Sequence, residues 1–399
     1  MCCEIRLKAR MARLRLLIFG VSALAMAGEA QGAGVRVLFD PAKLEVGPFP
    51  TDYLTAPATN TRTGRRVRLP QPDCGAQPNA CIEVNYLNEL DGFNVLARAR
   101  VKFSGAIDPQ TLKEGLRFVA REMIADPAGA EGEPGLHKEG DVIGVNQVVY
   151  DPETNTAYAK PNGPLDQHRR YALVVTTAVK DLSGDAVEAD DAFTACAGGG
   201  PGEEYCGALA QALKSLPAEV KATGASVFTT MSATAWLEKA RTTLEQVDPA
   251  ARAASPKGVF NLADLTGLVW RRQAGPGASQ FDDLDLTLAL FLLSESIGKV
   301  AFGSYQSPNF LDERQIIAGI PSSDTPAANG SSEIGFHAFY PRSAPPANGY
   351  PVVIFGHGFG DSRFGGPSIL ARTFAGDGMA TIAINAVGHG YGPGSRFVL

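Results

Sequence analysis

The tetrapeptide His357-Gly358-Phe359-Gly360 is the stretch of this sequence best suited to chemistry. It directly follows Val352–Phe355, four apolar residues in succession, a pattern typical of a parallel strand buried on both faces. The two glycines relax the backbone around Phe359 and can leave peptide N–H groups pointing away from the chain. Acyl transfer requires a nucleophile, a base, a group that orients the base, and preorganised donors for the oxyanion. Only the donors are offered by this sequence.

The nucleophile and the base of such a site are not evident. No G-x-S-x-G motif, which would place a serine on a strand-to-helix turn, occurs in the 399 residues. Ser362 and Ser395 have other neighbours, and neither is predicted to lie on such a turn. No histidine follows a credible nucleophile; the five are His137, His168, His337, His357 and His389. We therefore predict no catalytic residue in the chain and no ester turnover by this polypeptide alone.

The composition is that of a soluble globular protein. Apolar residues make up 45% of the chain and charged residues 20%, and the length suggests two or three domains. A formal net charge of −6 argues against a nucleic-acid-binding surface. The sequence shows no P-loop, dinucleotide fingerprint or metal-ligand spacing, so we expect no cofactor and no metal.

Residues 1–27 have the features of a signal peptide. Five basic residues precede the apolar run from Leu16 to Ala27, and Ala25-Met26-Ala27 resembles a signal-peptidase site. At about twelve residues the run is too short to cross a bilayer as a helix. The sequence therefore predicts an exported protein, and the final compartment (periplasm, cell surface or medium) stays open.

Four cysteines follow this segment in two close pairs, Cys74 with Cys81 and Cys196 with Cys206. The sequence does not fix the connectivity among three possibilities, but pairing within each close pair is the simplest. Zinc is the alternative, and it is disfavoured because the spacings are not C-x₂-C and no histidine is adjacent. Disulfides agree with export.

Hydrophobic patterning divides the rest of the chain into three parts. Residues 35–198 contain several short strands at roughly ten-residue spacing, which is typical of a β-sandwich. Residues 199–298 switch to helical and mixed patterns and are expected to connect two domains. Residues 299–399 alternate strands, loops and a helix as an α/β sheet does. In the connecting part, Asp282, Asp283 and Asp285 favour a solvated helix start over a calcium site.

Several segments resemble one family of exported bacterial proteins. Four of them are similar, in this order, to the bacterial virulence-factor lipase N-terminal domain: Phe39 to Pro41, Pro48 to Asp52, Leu90 to Asn94 and Phe103 to Asp108. Residues 170–184 resemble the last strands of bacterial Ig-like domains, and residues 299–399 resemble strands 1–4 of an α/β-hydrolase. The resemblance implies a multi-domain protein, an Ig-like β-sandwich followed by the first half of an α/β-hydrolase sheet.

The resemblance also implies roles for the loop after Val352–Phe355. In α/β-hydrolases this loop supplies half of the oxyanion hole, with the Phe359 N–H as donor, Gly358 and Gly360 making room, and His357 holding the loop. It implies a lipid or ester substrate in the full-length protein, while membrane or cell-surface association and oligomeric state stay open. The chain is then expected to be the N-terminal portion of a lipase-type serine hydrolase, ending before the nucleophile.

That expectation implies one feature of the sheet, and two other functions stay open. The third strand of a hydrolase sheet lies between the fourth and the fifth, so a missing fifth strand would leave Val352–Phe355 as an apolar edge. One rival function is non-catalytic binding or adhesion through the Ig-like domain. The other is a peptidase on the same fold, because the oxyanion loop does not indicate which leaving group the substrate carries.

Overall fold

A computed structural model describes residues 34–124, 135–200, 204–247, 254–275, 277–293, 295–392 and 394–399. The signal peptide expected at residues 1–27 lies outside the described residues. No helix in the described ranges is long and apolar enough to cross a membrane.

Short strands dominate the first part of the chain, together with a few helices. In chain order these are β1 (Arg36–Val37), β2 (Thr55–Pro57), β3 (Arg65–Val67), α1 (Pro78–Leu87), β4 (Ala99–Lys102), α2 (Leu112–Gly115), β5 (Leu116–Met123), β6 (Val142–Ile143), β7 (Val145–Asp151), β8 (Thr156–Pro161), β9 (Arg169–Thr176), β10 (Glu188–Ala189), α3 (Asp191–Ala197), α4 (Glu204–Lys214), β11 (Ala222–Thr229) and α5 (Ala235–Glu245).

Two of the resulting sheets pack face to face. A four-stranded sheet has the order β11-β9-β5-β6, and a three-stranded sheet has the order β4-β8-β7. Successive residues of β9 point to opposite faces, so that Tyr171, Leu173 and Val175 enter the core between the sheets, where they meet Val101 of β4. This arrangement confirms the β-sandwich expected from the strand spacing.

Helices α3 and α4 cover the outer face of the four-stranded sheet. Ala172 and Val174 of β9 form a second apolar core with Leu209 of α4. The Cys196–Cys206 disulfide joins the two helices there, with the Cα atoms 4.8 Å apart, and Cys74–Cys81 forms the other disulfide at 5.6 Å. Both local pairings expected from the sequence are confirmed.

The last part of the chain builds two further sheets. Its elements are β12 (Ser255–Asn261), β13 (Val269–Gln273), β14 (Phe281–Asp285), α6 (Thr287–Leu293), β15 (Ile297–Pro308), β16 (Ser331–Pro341), β17 (Val352–Phe355), α7 (Gly366–Gly376), β18 (Ala380–Ile384) and β19 (Arg396–Val398). Residues 199–298, expected to connect two domains, contribute α4 and β11 to the first part and β12 to β14 to the last.

The larger of these sheets has the order β12-β15-β16-β18-β17. Strand β16 is antiparallel to both neighbours, whereas β17 and β18 run parallel, with Ile354 opposite Ile382. Helix α7 is the crossover between these parallel strands, and its Ala371 and Ala375 pack in a core with Phe339 of β16. The smaller sheet, β14-β13-β19, approaches this core through Trp270, whose ring stacks on Phe364 at 5.5 Å.

Two expectations are corrected by this arrangement. Strand β17 is not buried on both faces: Val352 is 60% exposed and Ile354 83% exposed, because β17 is the outermost strand and no described element covers that face. The aspartates do not all begin a helix: Asp282 and Asp283 lie in β14, where cross-strand pairing with β13 overrides the helical interpretation. Only Asp285 adjoins a helix, α6, and its carboxylate accepts the Thr287 N–H at 2.8 Å.

Candidate functional site

The connection between β17 and α7 is a tight loop held by its own side chains. Gly360 has φ +77°, a conformation that favours glycine, and the Asp361 N–H donates to the Gly358 carbonyl at 3.2 Å. The Asp361 carboxylate accepts the Gly366 N–H at 2.9 Å. Because the first N–H groups of a helix have no partner inside it, this bond fixes the loop to the start of α7.

The tip of this loop presents backbone donors to solvent. The N–H groups of Gly358, Phe359 and Gly360 make no hydrogen bond to any described residue. The Phe359 side chain is fully exposed. An N–H without a protein acceptor is free to donate to an anionic oxygen, the property that an oxyanion donor needs.

His357 ties this loop to the one that follows β18. Its Nε2 accepts the backbone N–H of Ala386 at 2.9 Å, and its Nδ1 lies 3.0 Å from the Gly358 carbonyl. Since Nε2 is the acceptor, Nδ1 carries the proton and donates to Gly358. The ring of His389, 5.1 Å from that of His357, belongs to the same loop pair, and its Nδ1 bonds the Val387 carbonyl at 3.0 Å.

Asn385, directly after β18, holds the other end of the connection. Its Oδ1 accepts the Arg363 N–H at 2.8 Å. The sequence gives no sign of this contact, because it depends on where a separate loop returns to the sheet.

The two serines considered from the sequence are built into backbone turns. Ser362 is fully buried, and its Oγ accepts the Phe364 N–H at 3.1 Å. The Ser395 Oγ donates to the Tyr391 carbonyl at 2.7 Å and accepts the Gln273 N–H at 3.0 Å. Neither hydroxyl is placed as a nucleophile.

A buried histidine lies in the centre of the sheet, and sequence reasoning did not single it out. His337 of β16 is 2% exposed and packs among aromatic rings, with the Phe364 ring centroid at 4.6 Å and that of Phe302 at 4.8 Å. Burial, together with the nearby Arg363 guanidinium, lowers the pKa of His337 to about 3, so the ring is neutral at physiological pH. The only sequence signal is its place in the apolar alternation of Glu333 to Pro341.

No group of three or more histidine, cysteine, aspartate or glutamate side chains in the described ranges is arranged to hold a metal ion. The histidines lie in different parts of the described chain. His137 is in the sandwich, where its Nδ1 lies 3.4 Å from the Asp166 carboxylate, whereas His357 and His389 are together at the loop after β17. The site therefore consists of backbone donors on a braced loop.

Residues 82–195 match the sequence profile of the bacterial Ig-like domain family. The match covers less than half of the chain and falls on the β-sandwich, which it supports as an Ig-like domain. No curated protein matches the sequence.

Similar solved structures are bacterial surface-layer proteins. The S-layer protein rSbsC(31-844) is 10% identical over 66% of this chain and 26% of its own, with a TM-score of 0.18. The N-terminal part of the S-layer protein SbsC is 8% identical over 68% of this chain and 46% of its own, with a TM-score of 0.19. The chain thus spans less than half of each, and these TM-scores are too low to indicate a shared overall fold.

Proposed function

We propose that this chain is the N-terminal portion of an exported carboxylic-ester hydrolase of the lipase type, in which the loop at Phe359 supplies one half of the oxyanion hole. The observation that carries the proposal is the β17–loop–α7–β18 unit, with free N–H groups at the loop tip and His357 bracing it. The third strand of the expected series, β17, lies at the open edge beside the fourth, β18. That is the order which the α/β-hydrolase resemblance implies.

Export and substrate class belong to the same proposal. Two disulfides persist in oxidising compartments and are rare in the cytosol, which supports a periplasmic, surface or extracellular location. The substrate proposed is a lipid or other ester, whose carbonyl oxygen becomes anionic on attack and would accept the Phe359 N–H. A peptide substrate would use the same donor, so ester and amide cleavage must be compared directly.

The reading frame beyond Leu399 tests the proposal first. We expect the reading frame to continue and to encode a G-x-S-x-G motif roughly 40–80 residues after Leu399. The longer protein should hydrolyse p-nitrophenyl esters faster than the matching anilides. An authentic stop codon in independent isolates, or a faster anilide reaction, contradicts the proposal.

Substitution at Phe359 then tests the role of the loop in that longer protein. Phe359→Pro removes the N–H and should lower kcat about 10²- to 10³-fold. Phe359→Ala is the matched control, because it removes the same exposed ring but keeps the donor, and its kcat should stay within a few-fold of wild type. Equal losses in the two variants would show that the N–H is not the functional group.

A second function, non-catalytic binding or adhesion, is favoured by the Ig-like match at residues 82–195. It predicts that the polypeptide of residues 34–247 retains the whole biological activity of the protein. Loss of that activity on removal of the α/β part would favour the hydrolase.

A further inference from the structure

A cavity lies near the loop that follows β17, and none of His357, Gly358, Phe359 and Gly360 lines it. It has a volume of about 560 Å³ and opens between β12, β15 and β16 and the loops that follow β17 and β18. This volume is within the range of small-molecule sites. Three cationic side chains line it, those of Lys257, Arg363 and Arg396, against the single carboxylate of Glu333.

Lys257 and Glu333 neutralise each other, because they form an ion pair across β12 and β16. Ser304 also donates to the Glu333 carboxylate at 2.6 Å. The charge that remains is that of Arg363, inside the cavity, and Arg396, which is exposed at its mouth. The cavity is therefore positive overall.

Arg363 is a half-buried guanidinium with spare donors. Its Nη1 donates to the Gly335 carbonyl at 2.7 Å, and its guanidinium lies over the Phe364 ring at 4.9 Å. Its buried Nε has no hydrogen-bond partner, and no carboxylate of the described chain forms an ion pair with Arg363. Burial lowers the pKa of Arg363, because desolvation disfavours the charged guanidinium. A planar guanidinium with free donors is matched in geometry by a carboxylate.

The remaining walls combine aromatic rings with the polar side chains of Ser304, Asn385 and Ser395. Phe302, Phe336, Phe364 and Phe397 line the cavity, and the His337 ring stacks on Phe397 at 5.2 Å. The neutral His337 ring adds no charge, and its Nδ1 has no hydrogen-bond partner in the described part of the chain. The rings give the apolar body of a ligand a surface to pack on, which a hydrated inorganic ion would not use.

From these contacts we propose that the cavity binds a small organic carboxylate, whose carboxylate group pairs with Arg363 and whose apolar body packs on the phenylalanine rings. The site is separate from the Phe359 donors, and the proposal holds whether or not the chain belongs to a hydrolase.

Titration calorimetry of the 399-residue chain with benzoate and with inorganic phosphate tests it. Benzoate is expected to bind at least about tenfold more tightly than phosphate, because only benzoate has an apolar body. Arg363→Lys keeps the charge but loses the planar fork, and should weaken benzoate binding about tenfold. Arg396→Gln, at the exposed mouth, should weaken it a few-fold and leave the fold intact, as circular dichroism would show.

Arg314→Gln is the matched control, because Arg314 is an exposed arginine paired with Asp312 and does not line the cavity. Its benzoate affinity should equal that of wild type. The proposal is overturned if wild type does not bind benzoate at about 10 mM. It is also overturned if phosphate binds as tightly as benzoate, or if neither Arg363→Lys nor Arg396→Gln binds benzoate more weakly than Arg314→Gln.

Discussion

The Nε2 atom of His357 accepts a hydrogen bond from the backbone N–H of Ala386 at 2.9 Å, joining two loops that are 29 residues apart in sequence. Because the same ring bonds Gly358 through Nδ1, one side chain holds the loop after β17 against the loop after β18. The position of the Phe359 donor therefore depends on His357, although the imidazole itself is not placed to carry out chemistry.

Replacement of His357 by alanine should release this contact. The Ala386 amide is then expected to exchange with solvent about tenfold faster, since a net hydrogen bond contributes about 1 kcal/mol to local stability. Hydrogen exchange measured by NMR provides the test. His389→Ala is the control, because that ring hydrogen-bonds the Val387 carbonyl and not the Ala386 N–H, so the substitution should leave Ala386 protected. Equal exchange in wild type and His357→Ala would rule out the bracing role.

The exposed face and free edge of β17 should make the protein prone to self-association. Ile354 is 83% exposed on a strand whose outer edge is unpaired in the described structure, and such edges template strand addition. Ile354→Lys is expected to reduce aggregation, measured by light scattering, without lowering the melting temperature. Leu237→Lys is the matched control: Leu237 is 70% exposed on helix α5, which has no strand edge, so its substitution should change scattering little. Similar effects of the two substitutions would contradict an edge mechanism.

Local sequence signals predicted the elements around the loop well. Strand β17 coincides with Val352–Phe355, because a continuous apolar run lies between Pro351 and Gly356. Both disulfides were predicted, because each joins cysteines only 7 or 10 residues apart. In these cases the information is contained in neighbouring residues.

Long-range pairing was not predictable in the same way. Strand β11 lies within the region predicted to connect two domains, but it pairs with β9, 46 or more residues earlier in the chain, and so belongs to the sandwich. Arg363 and His337 carry no local sign of their environment, since desolvation and the aromatic enclosure depend on strands and loops that meet only in the folded sheet. The same is true of Asp52, which the sequence placed only within an extended segment.

Removal of the Asp52 carboxylate should strongly destabilise the sandwich. Asp52 is 6% exposed and accepts both the N–H and the Oγ1 hydroxyl of Thr229 at 2.8 Å, with Arg65 and Arg170 at 3.7 and 3.8 Å. Asp52→Ala leaves these donors and cations without their acceptor, at an expected cost of about 3–5 kcal/mol in unfolding free energy. Urea denaturation monitored by circular dichroism measures it. The control, Asp151→Ala, removes a half-buried carboxylate at the end of β7 that has no ion-pair partner in the described structure, and should cost only about 1 kcal/mol.

His337 should make the stability of the last part of the chain depend on pH. Its pKa is about 3 in the folded protein against an ordinary value of 6.5, so between these values the unfolded chain binds a proton that the folded chain does not. Stability from this group is therefore complete above pH 6.5 and is lost as the pH falls toward 3. The expected slope is about 1 kcal/mol per pH unit.

Trp270 reports on this region, because its ring stacks on Phe364, a neighbour of His337. Urea unfolding followed by Trp270 fluorescence in a Trp236→Phe background should show the loss of stability on acidification. His337→Phe removes the titrating group and keeps an aromatic ring. Between pH 6.5 and pH 4 the unfolding free energy of this variant should therefore fall less steeply than that of the parent, the two slopes differing by about 1 kcal/mol per pH unit. If the unfolding free energies of the two proteins depend on pH in the same way, His337 is not held neutral by its aromatic surroundings. The acid sensitivity would then come from carboxylates such as Glu333, whose pKa is lowered by Lys257.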